Sequence, residues 1–596
     1  MDTPSGAAHR PDPAARPIGP GGYSLTSRRL GALPLISHFA GRIGLDRLLD
    51  TRLPADDPRL ALKPATVIKD VIMNLCAEHR PLYALSEWAG LHQPGLLGLS
   101  GGEAELLNDD RVARTLDRLF LADRGSLLTE LMVGVIDKFK VDCSRFHNDS
   151  TSISVHGSYD HAGGQEIADV PTPAITWGHS KDHRPDLKQL VLILTVSGDH
   201  AVPVIYRVAD GNTSDDPTHV PTWDQLAGLT GHHDFLYVAD CKLASGDAMR
   251  HIHGQGGRFI TVLPRSRKED GAFRAWLQTH QPVWAEAHRR PARRDEPDQV
   301  LSTCEDPLPS AEGFRIVWVH DTGKQVSDAA TRARRIAKAV TAIEDDLAAR
   351  LTSPRSRLRT AEAVHAAAKA AISDADATRW VRYTMHETTE ESFRQAGPGR
   401  PGKDTPYRKT EKKLYTVSCD IDLAQVAYDA AGDGCWPLIT NDRDMSAAEV
   451  LAAYRYQPNL ERRHHLLKRV QDACPIWIKS IQRIEAIFLC HFIALLISAL
   501  IEREIRTAMQ AATISKIPLY PELRGCAEPS AERIFEIFAH VERHELYDAA
   551  GTKIQVFEPE LTELQTQVLK LLGVPATAYT RATVHAQIAQ LQADAR

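Results

Sequence analysis

Apolar residues return every three or four positions from Tyr23 to about Lys138, most clearly in TVIKDVIMNLCAEH and RVARTLDRLFLA. That period is helical, and Asn108 ahead of the second run is a suitable N-cap. Residues 23–138 are therefore expected to form an all-helical N-terminal domain. A DNA-reading helix-turn-helix and plain helical scaffolding fit the pattern equally well. After this stretch the period shortens to two. SRFHNDSTSISVHG, LKQLVLILTVSG and HAVPVIYRVADG read as three consecutive strands, the last two joined by a turn at Ser197-Gly198-Asp199. A helix over about 221–229, the strand FLYVAD at 235–240, a helix near 245–253 and the strand RFITVLP at 258–264 follow.

Three sequential strands followed by alternating helices and strands is the order of an α/β fold whose helices flank a mixed sheet, as in an RNase H-like core. Its first part is expected at residues 139–265. Residues 266–434 then hold the strand-like FRIVWVHD, an Ala- and Arg-rich helix over about 328–351, and GPGRPGKDTPYRKTEKK, whose glycines and prolines predict a loop. An insertion domain is the simplest account of this segment. The core resumes at 435–506 with WPLITN, after which Ser446 and Glu449 form a capping box for the next helix. Residues 507–596 read as a C-terminal tail with short helices and a turn at Ala550-Gly551. Residues 1–22, rich in Pro, Gly and Ala, are expected to be a disordered tail, not a secretory signal.

A chain of 596 residues with 43% hydrophobic and 25% charged side chains folds into several units. Its net charge of -6 carries no global footprint of a nucleic-acid binder, so any DNA surface must be local. Nine cysteines without a CxxC pair exclude a disulfide framework or zinc ribbon and point to a reducing cytoplasm. The apolar run AIFLCHFIALLISALI at 486–501 is shorter than the ~20 residues that span a bilayer, and it contains His491. A buried helix and no membrane association are expected.

Asp149, near the end of the first core strand, and Asp240, ending FLYVAD, are candidate metal ligands. Carboxylates at strand ends on one sheet edge gather hard oxygen donors around Mg²⁺. Two such ions about 4 Å apart activate an attacking oxygen and stabilise a leaving one. Acidic residues also follow strands simply as turn formers. A rival zinc reading from His147, His156, His232 and His233 lacks any HExxH spacing. Basic clusters at Arg265/Arg267/Lys268, at Arg400/Lys403/Arg408/Lys409/Lys412/Lys413 and at Arg462/Arg463/Lys468/Arg469 supply local charge for phosphate contacts, or are solvated surface.

The segment YRYQPNLERRHHLLK places Tyr454, Gln457, Glu461 and Lys468 with two, three and six residues between them. This resembles the Y-x2-R-x3-E-x6-K signature of insertion-sequence DDE transposases. GHSKDHRPDLKQLVL, GNTSD, VAD, LITN, RIEAIFLCHFIALLI and FEPELTELQTQVLKLLG resemble further blocks of that family. The resemblance implies that Glu461 completes a metal site with Asp149 and Asp240 for two Mg²⁺ (or Mn²⁺) ions. It implies that Tyr454, Gln457 and Lys468, with Arg462 beside them, handle double-stranded DNA at terminal inverted repeats and target. It further implies a homodimer on paired ends and a cytoplasmic, nucleoid-associated protein. Gln457 replaces the signature's Arg by a neutral amide. Pro458 is expected to end one helix, with Asn459 capping a new one that holds Glu461 in its first turn. Cys241-Lys242 departs from the Arg-Gly expected after this Asp. Two alternatives stay open: an inactive DNA-binding relative, and an RNase H-like nuclease that cuts without joining.

Overall fold

The computed structural model describes residues 15–18, 22–56, 60–159, 163–292, 297–306, 309–470 and 478–580. Most of the 1–22 tail therefore lies outside the described residues. The chain divides into two compact units, Met1–Phe259 with Tyr454–Arg596, and Ile260–Ala453.

The first unit opens with strands, at 15–18 where a disordered tail was expected and at 23–29 where helix was expected. β1 (Ala15–Ile18) pairs with β2 (Tyr23–Arg29), and β2 pairs with β16 (Glu542–Tyr547), which turns back into β17 (Lys553–Phe557). The all-helical expectation for 23–138 fails at YSLTSRR, and the C-terminal tail contributes two strands. The reason is that β2 is stabilised by a distant partner, with Leu25 opposite Leu546, which no local period reveals. The turn at Gly551, where φ is +77°, joins β16 to β17 as expected.

Helices α1 (Leu33–Arg42), α2 (Leu45–Arg52), α3 (Pro64–Ala77), α4 (Leu85–Leu91), α5 (Asp109–Leu121) and α6 (Arg124–Phe139) follow. Asn108 caps α5 by accepting from the Arg111 N–H at 3.0 Å. The apolar run forms part of α16 (Ile481–Ala511), which packs against α1, α3 and α5. By length and composition α16 could cross a membrane, but 89% of its most apolar window is buried inside the protein.

The sheet of this unit has the order β8-β3-β6-β7. Its members are β3 (Arg145–Ser154), β6 (Gln189–Ser197), β7 (Pro203–Ala209) and β8 (Leu236–Ala239). A small hairpin, β4 (Glu166–Ile167) with β5 (Val170–Pro171), lies between β3 and β6 in sequence. The expected three-strand meander is present, antiparallel throughout, while β8 returns parallel to β3 through α7 (His219–Thr230), so the sheet is mixed. After β8 comes α8 (Gly246–Gly254), capped by Ser245. α15 (Gln457–His465) covers β3 and β6, and α16 covers β7. α17 (Ala531–Phe538), α18 (Glu563–Leu571) with its Thr562/Gln565 capping box, and α19 (Thr577–Thr580) complete the unit.

In the second unit β9 (Arg258–Val262), which begins at the boundary, pairs with β15 (Cys435–Thr440). The order continues antiparallel through β12 (Arg315–Asp321) and β11 (Gln299–Glu305) to β10 (Ala285–Arg290). RFITVLP and WPLITN, both assigned above to the core, pair with each other. α9 (Lys268–Trp276), α13 (Leu423–Ala430) and α14 (Ala447–Tyr454) belong to the same stretch of chain, the last preceded by the expected Ser446/Glu449 box. The long helix starts earlier than expected, as α10 (Thr322–Thr341), because Asp321 caps it. It continues through a π-helical turn into α11 (Ala348–Thr352), and α12 (Ala361–Asp374) packs beside it. β13 (Val381–Gln395) and β14 (Tyr407–Ile421) form a two-stranded ribbon of fifteen paired positions. YRKTEKK therefore extends as strand instead of loop, because Lys409 and Lys413 reach Glu391 and Glu387 across the ribbon.

One buried contact fixes α15. Arg463, 2% exposed, lies 2.9 Å from Glu502 of α16 and donates to the Ala201 and His200 carbonyls in the β6–β7 turn. Burial opposes the Glu502 charge, but Arg463 and Arg506 hold its carboxyl below the usual range. Glu502→Gln leaves a guanidinium unbalanced in the interior and is expected to cost about 3–5 kcal/mol, measured by denaturant unfolding against the parent. A loss under about 1 kcal/mol would contradict this account.

Candidate carboxylate site

β3 and β8 run side by side and parallel, in register from Arg145↔Leu236 to Asn148↔Ala239. One step further along each strand stand Asp149 and Asp240. Parallel register thus brings two sequence-distant carboxylates to the same face of adjacent strands. Within β3, which is otherwise buried from Phe146 to Ser154, Asp149 alone keeps partial exposure. Asp240 ends its strand and caps the following turn, accepting from the Lys242 N–H at 3.0 Å.

The electrostatics of the corner follows from this placement. Burial pushes the Asp149 carboxyl up to about 6; Lys181 opposes this, and the charges of Asp240 and Asp215 add to it. Asp240 is raised as well, first by burial and, against the Lys242 N–H, by Asp215. Tyr454, at the end of α14, has its phenol raised by burial and then by the charges of Asp240, Cys241, Asp149 and Glu461. All three carboxylates expected from the sequence therefore act on one phenol.

Glu461 is exposed on α15 and has no hydrogen bond or ion pair among the described residues. The helix begins at Gln457, with Pro458 inside its first turn, where a missing N–H costs nothing. The expected break before Glu461 is present, between α14 ending at Tyr454 and the new helix starting at Gln457, but the Asn459 cap is not; Asn459 Nδ2 instead donates to the Tyr456 carbonyl at 3.2 Å, and Glu461 sits past the first turn. One turn on, His464 Nδ1 lies 3.8 Å from Asp149 Oδ2. Burial, with Lys468 and Lys181 nearby, drives His464 down to about 3, so it faces Asp149 as a neutral ring.

Two participants carried no role in the sequence reading. Lys181, in GHSKDH, donates through Nζ to the Ser150 carbonyl (2.7 Å), Ser150 Oγ (2.9 Å) and Asp215 Oδ2 (3.3 Å), and lies 3.6 Å from Asp149 Oδ1. Burial would lower its pKa, but Asp149, Asp215 and Asp240 together raise it. Asp215, in GNTSD, also accepts from Ser150 Oγ. The loops carrying them cross at two glycines. A Cβ on Gly178 would fall 2.0 Å from the Gly211 carbonyl oxygen, and one on Gly211 would fall 2.0 Å from the Gln189 carbonyl oxygen. Gly-X-X-Lys and Gly-X-X-X-Asp were visible in the sequence, but that the glycines touch was not.

The residues expected to handle DNA have varied settings. Gln457 is buried, its Oε1 accepting from His147 Nδ1 at 2.9 Å and its Nε2 donating to the Asn148 carbonyl at 3.1 Å, so its amide ties α15 to β3. Lys468, in the π-helical turn Leu466–Val470, is ion-paired to both oxygens of Asp182 at 2.8 and 2.9 Å. This braces the loop that carries Lys181. Arg462 is exposed beside Glu461. The histidines weighed for zinc disperse: His147 bonds Gln457, His232 pairs with Asp234, and His233 contacts the Gln255 carbonyl. Carboxylate oxygens are the donors a hard divalent cation takes, and Asp149 and Asp240 offer them. Among the described residues no group of three or more His, Cys, Asp or Glu is gathered tightly enough to hold an ion.

Residues 25–133 match a family described as a domain of unknown function (DUF4277). No curated protein matches the chain. Among solved structures, the piggyBac transposase synaptic complex with hairpin DNA, determined by cryo-EM, is matched at 7% identity. The match covers 78% of this chain and 74% of that one with a TM-score of 0.32.

The raised Asp149 has a signed consequence. The folded protein keeps a proton that the unfolded chain releases between about pH 4 and 6, so this group lowers stability as pH rises through that window. Asp149→Asn is expected to melt above the parent at pH 7.5, by on the order of 2 kcal/mol of stability, and alongside it at pH 4. Parallel pH–melting curves for the two proteins would contradict the assignment.

Proposed function

We propose that this chain is a DDE-class DNA transposase of a bacterial insertion sequence, which cuts at terminal inverted repeats and joins the freed ends to target DNA. The observation that carries the reading is the placement of Asp149 and Asp240 at matching positions of neighbouring parallel strands, with Asp240 raising the Asp149 carboxyl and Glu461 acting on the same Tyr454 phenol as both. The three signature spacings and the sheet order of the first unit, in keeping with an RNase H-like core, support it further.

On this reading Asp149, Asp240 and Glu461 would hold two Mg²⁺ or Mn²⁺ ions once drawn together around them. Such ions supply Lewis-acid activation of the attacking oxygen and charge relief at the leaving oxygen. The protein's own groups do the rest. Tyr454, its proton held on by burial and by surrounding carboxylates, donates a hydrogen bond to a phosphate oxygen near the ligands. Arg462, exposed on the same helix as Glu461, attracts the DNA backbone. Lys181 balances the carboxylate charge, and Asp215 with Ser150 fixes where its ammonium sits. Joining two ends calls for a homodimer on double-stranded DNA.

The test is divalent-ion-dependent cleavage of duplexes bearing the element's own ends. Asp149→Asn, Asp240→Asn and Glu461→Gln are expected to abolish cutting with the fold intact by circular dichroism. Asp215→Asn is expected to retain it at about a tenth to a hundredth of the parent rate, as for groups behind metal ligands. Cutting without joining would reduce the reading to a nuclease, and full activity in Asp240→Asn would sink it.

A further inference from the structure

The β13–β14 ribbon projects a concentration of unbalanced positive charge. Its base is seated: Val381, Tyr415 and Val417 are buried with Ile343, Val364 and Ile372 of the neighbouring helices. From there outward nothing covers it, and residues 386–394 and 406–413 are exposed without exception. Fifteen paired positions at ~3.4 Å each make the ribbon roughly 50 Å long.

The distal end, residues 394–409, carries Arg394, Arg400, Lys403, Arg408 and Lys409 against the lone carboxylate Asp404. Lys409 is ion-paired with Glu391 and Glu411. Arg394, Arg400, Lys403 and Arg408 have no ion pair among the described residues. Elsewhere in the same unit Arg267, Arg274, Arg289, Arg332, Arg335 and Arg379 have carboxylate partners, while others such as Arg334 and Arg357 have none among the described residues. Arg394 and Arg408 stand directly opposite each other in register, so two like charges share one face although this destabilises the hairpin. An isolated two-stranded ribbon is marginally stable already, which makes an uncompensated cationic end a cost without a partner.

The connecting loop is shaped for close approach. Gln395 Nε2 donates to the Gly399 carbonyl at 2.9 Å, and Gly402 N donates to Thr405 Oγ1 at 2.7 Å, so the turn is held from both sides around Arg400. A Cβ on Gly397 would meet nothing within 4 Å. Packing within this chain therefore does not demand glycine there, whereas a slim loop suits a narrow external groove. An arginine at the tip of such a loop fits the minor groove of duplex DNA, about 6 Å wide and strongly negative where it narrows. Exposed Phe393 and Tyr407 flank it.

We propose that the β13–β14 ribbon is a DNA-contacting arm whose 396–406 loop enters the minor groove with Arg400, while Arg394 and Arg408 bind the adjoining phosphates. This rests on the transposase reading only in taking duplex DNA as the partner. Binding of the full-length protein to a 40-bp A·T-rich duplex is measured by fluorescence anisotropy at stepped salt. The parent is compared with the triple variant Arg394→Glu/Arg408→Glu/Arg400→Glu and with Arg400→Ala. The triple variant is expected to melt with the parent, to bind at least 10-fold more weakly at 0.1 M salt, and to lose about two units of salt slope, at roughly 0.9 per phosphate. Netropsin, which fills the minor groove, is expected to weaken the parent more than Arg400→Ala. Parent-like affinity and slope in the triple variant would overturn the arm, and equal netropsin sensitivity in parent and Arg400→Ala would overturn its minor-groove placement. A parent that binds no duplex would overturn the DNA reading itself, a result distinct from either.

Discussion

Much of the first unit hangs on a single buried charge. Arg463 reaches from α15 to Glu502 of α16 and, in the same fork, to two carbonyls of the β6–β7 turn. Neither charge is tolerable alone at that depth, so the helix must lie where the pair can form. Glu461 and His464 flank Arg463 on that helix. The depth and rotation of α15, and with them the approach of His464 to Asp149, follow from an interaction that takes no part in chemistry. Gln457 adds a second tether by hydrogen bonding to His147 and Asn148 of β3. A neutral amide suits this position, because it satisfies one donor and one acceptor in the interior without bringing a further charge.

Around Asp149 the balance is electrostatic. Asp149, Asp215 and Asp240 repel one another in a partly desolvated corner, and Lys181 is the cation that opposes this repulsion. Two of the carboxyls rise despite it. Such a corner has affinity for further positive charge, the physical property shared by metal ions and by the proton that Asp149 retains to about pH 6. His464 and His219, both driven low by burial, line it as neutral groups and leave the net charge to the carboxylates.

The net charge of -6 concealed how charge is distributed. Some arginines in the second unit, Arg267 and Arg332 among them, are neutralised locally, whereas those at the end of the ribbon are not. Composition averages over the two cases, and only pairing geometry separates them.

The sequence by itself determined the elements whose stabilisation is local. The Asn108 cap, the Ser446/Glu449 box, the three-strand meander and the buried apolar helix depend on neighbours a few residues away or on an unbroken apolar run. Asp149, Asp240 and the 454–468 segment were likewise legible as candidates, although Asp149 stands inside β3 where the end of a strand was expected. Tertiary structure alone decided that β2 is a strand and that YRKTEKK extends a ribbon, because their partners lie elsewhere in the chain. It decided that Lys181 and Asp215 join Asp149, because two glycines let their loops cross at backbone contact. It also decided that Lys468 braces a loop through Asp182 and Gln457 faces inward. A side chain's role depends on which groups share its surroundings, and distance along the chain says little about distance in space.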